Sequence, residues 1–181
     1  AALFMAITRS LFRTLSQHVL SPAKIVTEMN NSISDNNESN MFVTLIVGIL
    51  DLETGILKLC NAGHNPPILI YPDGQVSYLE FKTQIFVGVV EDFKYSDEEV
   101  VLEKESKLFL YTDGVTEAEN INKELYGEEK LLEMLSDNAS SDVRTTVNVV
   151  VDSIASHVKE AEASDDLTIL LIQYEPGTAN S

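Results

Sequence analysis

Three aspartates stand where apolar runs begin or end. Asp113 directly follows a run of apolar residues, and Asp165 and Asp166 directly precede another run, 167–174. If these runs form neighbouring antiparallel strands, the end of one lies beside the start of the other, and the aspartates share one rim of a sheet. Clustered carboxylates suit hard cations such as Mg²⁺ or Mn²⁺. Asp is also common in turns and caps, so a purely structural role is the alternative.

A second candidate is the segment 61–67, Asn-Ala-Gly-His-Asn-Pro-Pro, which contains Gly63 and His64. A glycine before a histidine at a tight turn allows a ligand to approach the backbone closely. The imidazole of His64 can then donate a hydrogen bond to a phosphate or accept a proton. A single histidine at a turn often has only a structural role, and the spacing alone leaves both roles open.

Several other catalytic classes are excluded by their missing motifs. The chain contains no Gly-x-Ser-x-Gly, no His-Glu-x-x-His, no Walker loop and no Gly-x-Gly-x-x-Gly. A thiolate phosphatase needs an arginine six positions after its cysteine to hold the phosphate, whereas Pro66 occupies that position after Cys60. We therefore predict that Cys60 is a strand residue without a catalytic role.

The charge of the chain restricts its partners. Twelve Lys and Arg against 29 Asp and Glu give a formal net charge of −17, and residues 91–181 carry most of the acidic excess. This negative charge argues against a nucleic acid as a binding partner and against direct contact with an anionic membrane. No apolar run reaches the roughly 18 residues of a membrane span. The single cysteine cannot form an internal disulfide, so we expect a cytoplasmic protein.

The elements that would position these residues are short strands between helices. Helical spacing predicts a helix over 1–17, and Ser21 as N-cap before Pro22 predicts a second. Turn residues between short β-rich runs favour antiparallel pairing. The predicted strands are 41–50, 56–61, 67–71, 95–102, 107–112 and 167–174, and the later helices are 127–135 and 142–158. This pattern predicts an α+β fold with one domain, 1–175, and a disordered tail, 176–181.

Six segments in order resemble one known family. Together they are similar to the bacterial metal-dependent serine/threonine phosphatases of the sporulation stage II protein E type, a branch of the type 2C superfamily. Each segment alone is weak evidence, but their order and spacing are specific, and the resemblance covers residues 1 to about 174. The segments are 1–6 (AALFMA), 41–45 (MFVTL), 51–55 (DLETG), 61–67 (NAGHNPP), 111–118 (YTDGVTEA) and 164–168 (SDDLT).

The resemblance implies a fold, a cofactor and a reaction. The fold would be two stacked antiparallel β-sheets flanked by helices, an α-β-β-α sandwich with a site for two Mn²⁺ or Mg²⁺ ions at one edge. The reaction would be direct hydrolysis of phosphoserine or phosphothreonine without a phosphoenzyme. Asp113 and Asp165 match family metal ligands, with Asp166 as the less favoured neighbour. We expect His64 to assist catalysis, and His64 and Asn65 to contact the substrate.

One departure from the family pattern concerns the start of the chain. In the family, a Gly-Asp-Val-Ser-Gly-x-Gly segment precedes the first helix, and its aspartate bridges both metals. Neither that segment nor the strand before it is in this sequence. We therefore expect a domain that lacks its N-terminal portion and has little activity alone. A homodimer would cover the exposed sheet edge.

The resemblance favours a signalling phosphatase that acts on a phosphoprotein similar to an anti-anti-sigma factor. Such domains usually follow a sensory module, which can be attached to a membrane. The main alternative is a non-catalytic regulatory or docking module that retains the fold. A two-metal phosphodiesterase is a third alternative, but the chain offers no histidine-rich ligand set.

Overall fold

The chain divides into two compact units, which are described separately. The first comprises residues 1–64 and 81–101, and the second comprises 65–80 and 102–181. A computed structural model describes residues 2–35, 37, 40–82, 84–161 and 165–176. The predicted tail therefore lies outside the described residues, apart from Pro176.

Four helices and seven strands are present in the described chain. The first unit contains two helices and three strands, and the second contains two helices and four strands. In chain order they are α1 (Ala2–Leu15), α2 (Pro22–Ser34), β1 (Leu45–Leu50), β2 (Ile56–Ala62), β3 (Ile68–Ile70), β4 (Val76–Tyr78), β5 (Glu98–Val101), β6 (Lys107–Tyr111), α3 (Glu128–Asp137), α4 (Val143–Val158) and β7 (Ile169–Gln173).

The start of α2 is held by hydrogen bonds that involve the side chains of Ser21 and Asp97. Ser21 is the N-cap, and its side chain accepts a hydrogen bond from the backbone N–H of Lys24 at 3.2 Å. Pro22 occupies the first turn, where its missing N–H costs no helical bond. The carboxylate of Asp97 accepts hydrogen bonds from the Ser21 hydroxyl and the Ala23 N–H, at 2.8 and 2.5 Å. These bonds tie α2 to the segment before β5.

The first unit has an antiparallel sheet in the order β1-β2-β5. The β1–β2 turn forms because the Asp51 carboxylate accepts hydrogen bonds from the N–H groups of Glu53 and Thr54, while Gly55 has a φ of 74°. Helix α2 packs its apolar face against β1 and β2. The core of this unit includes Ile25, Val26, Met29, Val47, Cys60 and Ala62.

The second unit has an antiparallel sheet in the order β4-β3-β6-β7. Its central strand β6 begins at Lys107, whose ammonium group donates to the carbonyl oxygens of Ala139 and Ser141 at 2.7 and 2.5 Å. This contact joins the sheet to the connection between α3 and α4. The core combines side chains from the sheet and both helices: Ile68, Ile70, Phe109, Leu131, Leu135, Val150, Ile154 and Leu171.

The predicted α+β class is confirmed, with two antiparallel sheets and four helices in the described chain. Some boundaries differ. The strand predicted over 41–50 begins at Leu45, because Val43 makes only an isolated bridge to Val87. The strand predicted over 95–102 contains only 98–101. Strand β4 was not predicted, since three residues are too few to show an alternating pattern.

None of the helices in the described part of the chain combines the length and apolar character needed to cross a bilayer.

Candidate active site

The pairing of β6 with β7 brings the predicted aspartates to one edge of the second unit's sheet. The strands are antiparallel neighbours, with Tyr111 opposite Ile169, which is the condition under which the sequence placed the aspartates at one edge. The Thr112 N–H extends this ladder by donating to the carbonyl of Thr168 at 3.1 Å. Asp113 therefore follows the last paired residue of β6 at the same edge where the 165–168 segment enters β7.

Gly114 permits the close approach of these two segments. A Cβ atom at this position would lie 2.5 Å from the backbone oxygen of Asp166, inside the contact distance of real Cβ atoms. The Thr112 hydroxyl also joins the segments, because it donates to the Asp166 carbonyl at 3.3 Å and accepts from the Thr168 N–H at 3.1 Å. We call this set of contacts between 112–114 and 166–168 the strand-end latch.

Two carboxylates at the latch each accept a hydrogen bond from the backbone N–H of the next residue. Asp113 Oδ1 accepts from the Gly114 N–H at 3.0 Å, and Asp165 Oδ1 accepts from the Asp166 N–H at 2.7 Å. The Asp113 carbonyl accepts from the Glu117 N–H at 2.8 Å, which closes the turn after β6. Asp113, Asp165 and Asp166 are all exposed to solvent. Exposed carboxylates at a shared edge are the type of ligand that Mg²⁺ and Mn²⁺ prefer.

Within the described ranges, no three His, Cys, Asp or Glu side chains are grouped closely enough to hold a metal ion. The latch positions the aspartates through backbone contacts.

His64 belongs to the first unit and is held by Asn61. The buried Asn61 side chain accepts from the His64 N–H at 2.8 Å and donates to the His64 carbonyl at 3.0 Å. The His64 Nδ1 atom lies 3.3 Å from the hydroxyl of Thr44, within hydrogen-bond distance. Backbone and ring are therefore both oriented by residues of the same unit.

The space beside Gly63 is occupied by an aromatic ring. Gly63 has a φ of 74°, and a Cβ atom there would lie 2.1 Å from the ring of Phe86. The backbone carbonyl of Phe86 accepts from the Tyr95 hydroxyl at 3.2 Å. This glycine is therefore needed for a turn and for packing against Phe86, whereas the sequence suggested that it admits a ligand.

Asn65 lies in the second unit, where it forms a side-chain hydrogen bond with Tyr111. Burial raises the pKa of the Tyr111 hydroxyl, and its hydrogen bonds to Tyr78 and Asn65 oppose this shift. Asn65 is therefore next to Tyr111, the last residue of β6, which precedes Asp113 by two residues.

Cys60 lies on β2 with no exposed surface, as predicted for a strand residue. Burial and the negative charge of Asp97 raise the pKa of the thiol to about 12. Gln84 donates its Nε2 hydrogen to the sulfur at 3.8 Å. A thiol in this state is protonated at neutral pH and is not a nucleophile.

Sequence reasoning missed three residues that organise the site. Thr112 and Gly114 form the latch, and Asn61 holds His64. The sequence could have indicated them, because they lie in the motifs 111–118 and 61–67, next to or near the candidate residues Asp113 and His64. A single sequence shows which residue types occur there but not which backbone atoms they approach.

The profile of the family described as Stage II sporulation protein E (SpoIIE) matches residues 1–175. The chain belongs to the SpoIIE family.

Two curated relatives of this SpoIIE-family chain come from Bacillus subtilis strain 168. Phosphoserine phosphatase RsbU is 24% identical over 174 residues, which cover 96% of this chain and 51% of RsbU. Phosphoserine phosphatase RsbP is 27% identical over 180 residues, which cover 97% of this chain and 42% of RsbP. The SpoIIE-family chain thus spans about half the length of these relatives or less.

A solved structure shows the fold of the SpoIIE-family chain. The SiaA-PP2C domain of Pseudomonas aeruginosa superimposes with a TM-score of 0.83 at 21% identity, covering 96% of this chain and 70% of that one. The chain therefore has the PP2C phosphatase-domain fold.

Proposed function

We propose that this chain is part of a metal-dependent protein phosphatase that hydrolyses phosphoserine or phosphothreonine on a signalling protein. The observation that carries the proposal is the strand-end latch, which holds Asp113 beside the 165–166 segment. Membership of the SpoIIE family and the similarity to two phosphoserine phosphatases support it.

Asp113 and Asp165 would hold Mn²⁺ or Mg²⁺, with Asp166 as a further acceptor, and the complete domain would hold two ions. Such ions lower the pKa of a bound water molecule and neutralise phosphoryl oxygens. The Thr112 and Gly114 contacts hold the segments that carry these carboxylates side by side. Since Cys60 is buried and protonated, no thiol of this chain competes as a nucleophile.

The proposal also assigns roles to His64 and Asn65, which the family resemblance suggested. His64 would assist the phosphate or the leaving group as a hydrogen-bond donor or general acid. Asn65 is held at the end of β6 by Tyr111 and would contact the substrate. We expect His64→Ala to lower turnover about 10²-fold or more, with little change in metal affinity.

The partner of this site would be a phosphorylated regulator similar to an anti-anti-sigma factor. We include in this proposal that residues 1–175 form the phosphatase domain. A sensory module would precede it in a longer cytoplasmic protein, and the domain would form homodimers. The relatives named above, which are about twice as long as their matched regions, support a multi-part protein.

The test compares hydrolysis of a phosphoserine peptide in Mn²⁺ by this chain and by a chain extended upstream through the expected Gly-Asp-Val segment. We expect activity only in the extended chain, because a bridging carboxylate is needed between two repelling cations. Asp113→Asn and Asp165→Asn should abolish both this activity and Mn²⁺ binding measured by calorimetry. Asp137→Asn, an exposed aspartate at the end of α3, is the matched control.

Two results would contradict the proposal. Equal rates in both chains, lost on Asp113→Asn, would show that residues 1–181 supply every ligand and that the expected truncation is wrong. An extended chain that binds the phosphopeptide but never hydrolyses it would favour the non-catalytic docking module instead.

A further inference from the structure

The loop that follows β6 is bonded back to its own start. The Glu117 N–H donates to the Asp113 carbonyl at 2.8 Å, which closes the turn at Asp113. The Tyr126 N–H donates to the Ala118 carbonyl at 2.9 Å, which brings the end of the loop beside its beginning. We call residues 113–127 the β6–α3 loop. Because both bonds involve the same short segment, the turn at Asp113 and the end of the loop are held together.

The middle of the β6–α3 loop is a tight hairpin. Glu119 and Leu125 form an antiparallel bridge, and the Asn120 N–H donates to the carbonyl of Glu124 at 3.0 Å. The side-chain oxygen of Asn120 accepts from the N–H groups of Asn122 and Glu124 at 2.8 and 3.1 Å. Such bonds from an asparagine side chain to the following backbone stabilise a turn. The hairpin is therefore held by its own hydrogen bonds.

Helix α4 contacts the β6–α3 loop at two points. The His157 Nε2 atom lies 2.9 Å from the carbonyl oxygen of Glu124. Since a carbonyl oxygen can only accept, Nε2 carries the hydrogen of this bond. The Tyr126 hydroxyl donates to Ser153 Oγ at 2.9 Å, and the rings of Tyr126 and His157 meet edge to face with centroids 5.6 Å apart. Ser153 and His157 are one turn apart, so both contacts come from one face of α4.

A continuous series of contacts leads from His157 to Asp113. His157 bonds to the Glu124 carbonyl, the hairpin leads to Tyr126, and Tyr126 bonds to Ala118. From Ala118 the chain reaches Asp113 within five residues. Contiguous contacts of this kind can carry the effect of a change from one residue to another. Tyr126 is buried in the core, whereas His157 is half-buried in the last turn of α4, so a change at His157 removes a contact with little loss of core packing.

We propose that His157 is a positioning residue that holds the turn at Asp113 through the β6–α3 loop. This inference rests on the proposed phosphatase function, because it assigns His157 to orienting a proposed metal ligand without contacting the metal or the substrate. When the His157 bond is lost, the loop loosens, and the bond between the Glu117 N–H and the Asp113 carbonyl opens more often. The net free energy of one hydrogen bond corresponds to roughly a threefold to tenfold change in such an equilibrium.

The first test measures amide hydrogen exchange by NMR in this chain without metal. We expect His157→Ala to raise the exchange rate of the Glu117 amide about threefold to tenfold, together with that of the Tyr126 amide. His157→Gln should restore both rates, because the glutamine side chain can donate a hydrogen bond from the position of Nε2. His18→Ala, which removes an exposed histidine of the first unit, is the matched control and should leave both rates unchanged.

The second test measures turnover of a phosphoserine peptide by the chain extended upstream. We expect His157→Ala to raise the Mn²⁺ concentration for half-maximal turnover about threefold or more, with the KM for the peptide at saturating Mn²⁺ unchanged. Tyr126→Phe keeps the ring but loses the bond to Ser153, and it should shift the Mn²⁺ dependence in the same direction. His157→Gln should restore the original dependence. A purely structural role would lower the thermal midpoint without moving the Mn²⁺ dependence.

The two proposals fail in different ways. If the extended chain hydrolyses neither p-nitrophenyl phosphate nor any phosphopeptide while His157→Ala still speeds exchange at Glu117, the phosphatase proposal is overturned and the hold of His157 on the loop is supported. If hydrolysis occurs but His157→Ala leaves the Glu117 exchange rate or the Mn²⁺ dependence unchanged, the phosphatase proposal stands and the positioning role of His157 is overturned.

Discussion

A buried cysteine, Cys60, makes the protein less stable as the pH becomes alkaline. The Cys60 thiol has a folded pKa of about 12 against an ordinary value of 9.0. Above pH 9.0 the unfolded chain loses this proton while the folded chain keeps it, so the free energy of unfolding falls as pH rises. The slope contributed is at most about 1.4 kcal/mol per pH unit.

We therefore predict that Cys60→Ser reduces the alkaline loss of stability. Serine can still accept the hydrogen bond from Gln84, so folding should be retained. Urea unfolding of both proteins between about pH 8 and pH 11 measures the difference. Buried tyrosines titrate in both proteins, so only the difference between the two curves reports on Cys60. Parallel curves would mean that the thiol has an ordinary pKa.

At the same scale, the absence of a side chain at Gly114 allows the ends of two strands to approach each other closely. We predict that Gly114→Ala lowers the free energy of unfolding by about 1–3 kcal/mol, because its Cβ would meet the rigid backbone oxygen of Asp166. The variant should also bind Mn²⁺ more weakly, since Asp113 would move away from Asp165. Thermal unfolding and calorimetric titration measure the two effects.

Gly48→Ala provides the matched control for this substitution. Its Cβ would lie 2.8 Å from a methyl group of Leu59, which is the flexible end of a side chain and can move. We expect a smaller loss of stability and no change in Mn²⁺ affinity. A Gly114→Ala protein as stable as Gly48→Ala would show that the latch tolerates a wider spacing.

At the scale of elements, one carboxylate joins a helix start to a distant segment. Asp97 accepts hydrogen bonds from Ser21 and from the Ala23 N–H at the first turn of α2. We predict that Asp97→Ala destabilises the protein by about 1–3 kcal/mol, because charge-assisted bonds to a helix N-terminus are lost. It should also lower the pKa of Cys60, which the Asp97 charge raises. Chemical unfolding and the pH dependence of thiol alkylation measure these effects.

Glu91→Ala, an exposed acid in the same loop region, controls for the loss of one negative charge. If it alters stability and thiol reactivity as much as Asp97→Ala does, the effect would be general electrostatics rather than the cap of α2.

The elements also show which features can be predicted from sequence. Ser21 and Pro22 marked the start of α2 correctly, since capping is local chemistry. The two apolar runs that adjoin aspartates were recognised as strands, but their pairing as β6 and β7 entered only as a condition, which the structure meets. Strand β4 and the contact of Phe86 with Gly63 were missed, because both depend on residues that are distant in sequence or on runs too short to show a period.

At the scale of the whole molecule, the acidic charge would make the stability of the protein depend on the proposed metal binding. With a net charge of −17, the adjacent carboxylates at the latch repel one another in the absence of a cation. A bound ion adds RT ln(1 + [L]/Kd), about 2.7 kcal/mol at a hundredfold excess over Kd. We predict that Mn²⁺ raises the thermal midpoint, and that Asp165→Asn removes this rise while slightly raising the midpoint without metal.

Thermal unfolding with and without Mn²⁺ measures this prediction, with Asp137→Asn as the control at an exposed site away from the latch. A rise of equal size in Asp165→Asn would place the stabilising ion elsewhere in the protein.

The pairing of β6 with β7 also has a consequence for the newly synthesised chain. Asp113 leaves the ribosome roughly sixty residues before the end of β7, a delay of several seconds at about 5–20 residues per second. During that interval β6 can pair with β3, whose residues have already emerged, but its other side has no partner. The nascent protein can therefore form most of the second unit's sheet early and complete the edge that carries the aspartates last. Any ribosome-stalled or prematurely terminated product that lacks β7 would carry Asp113 without its opposing segment.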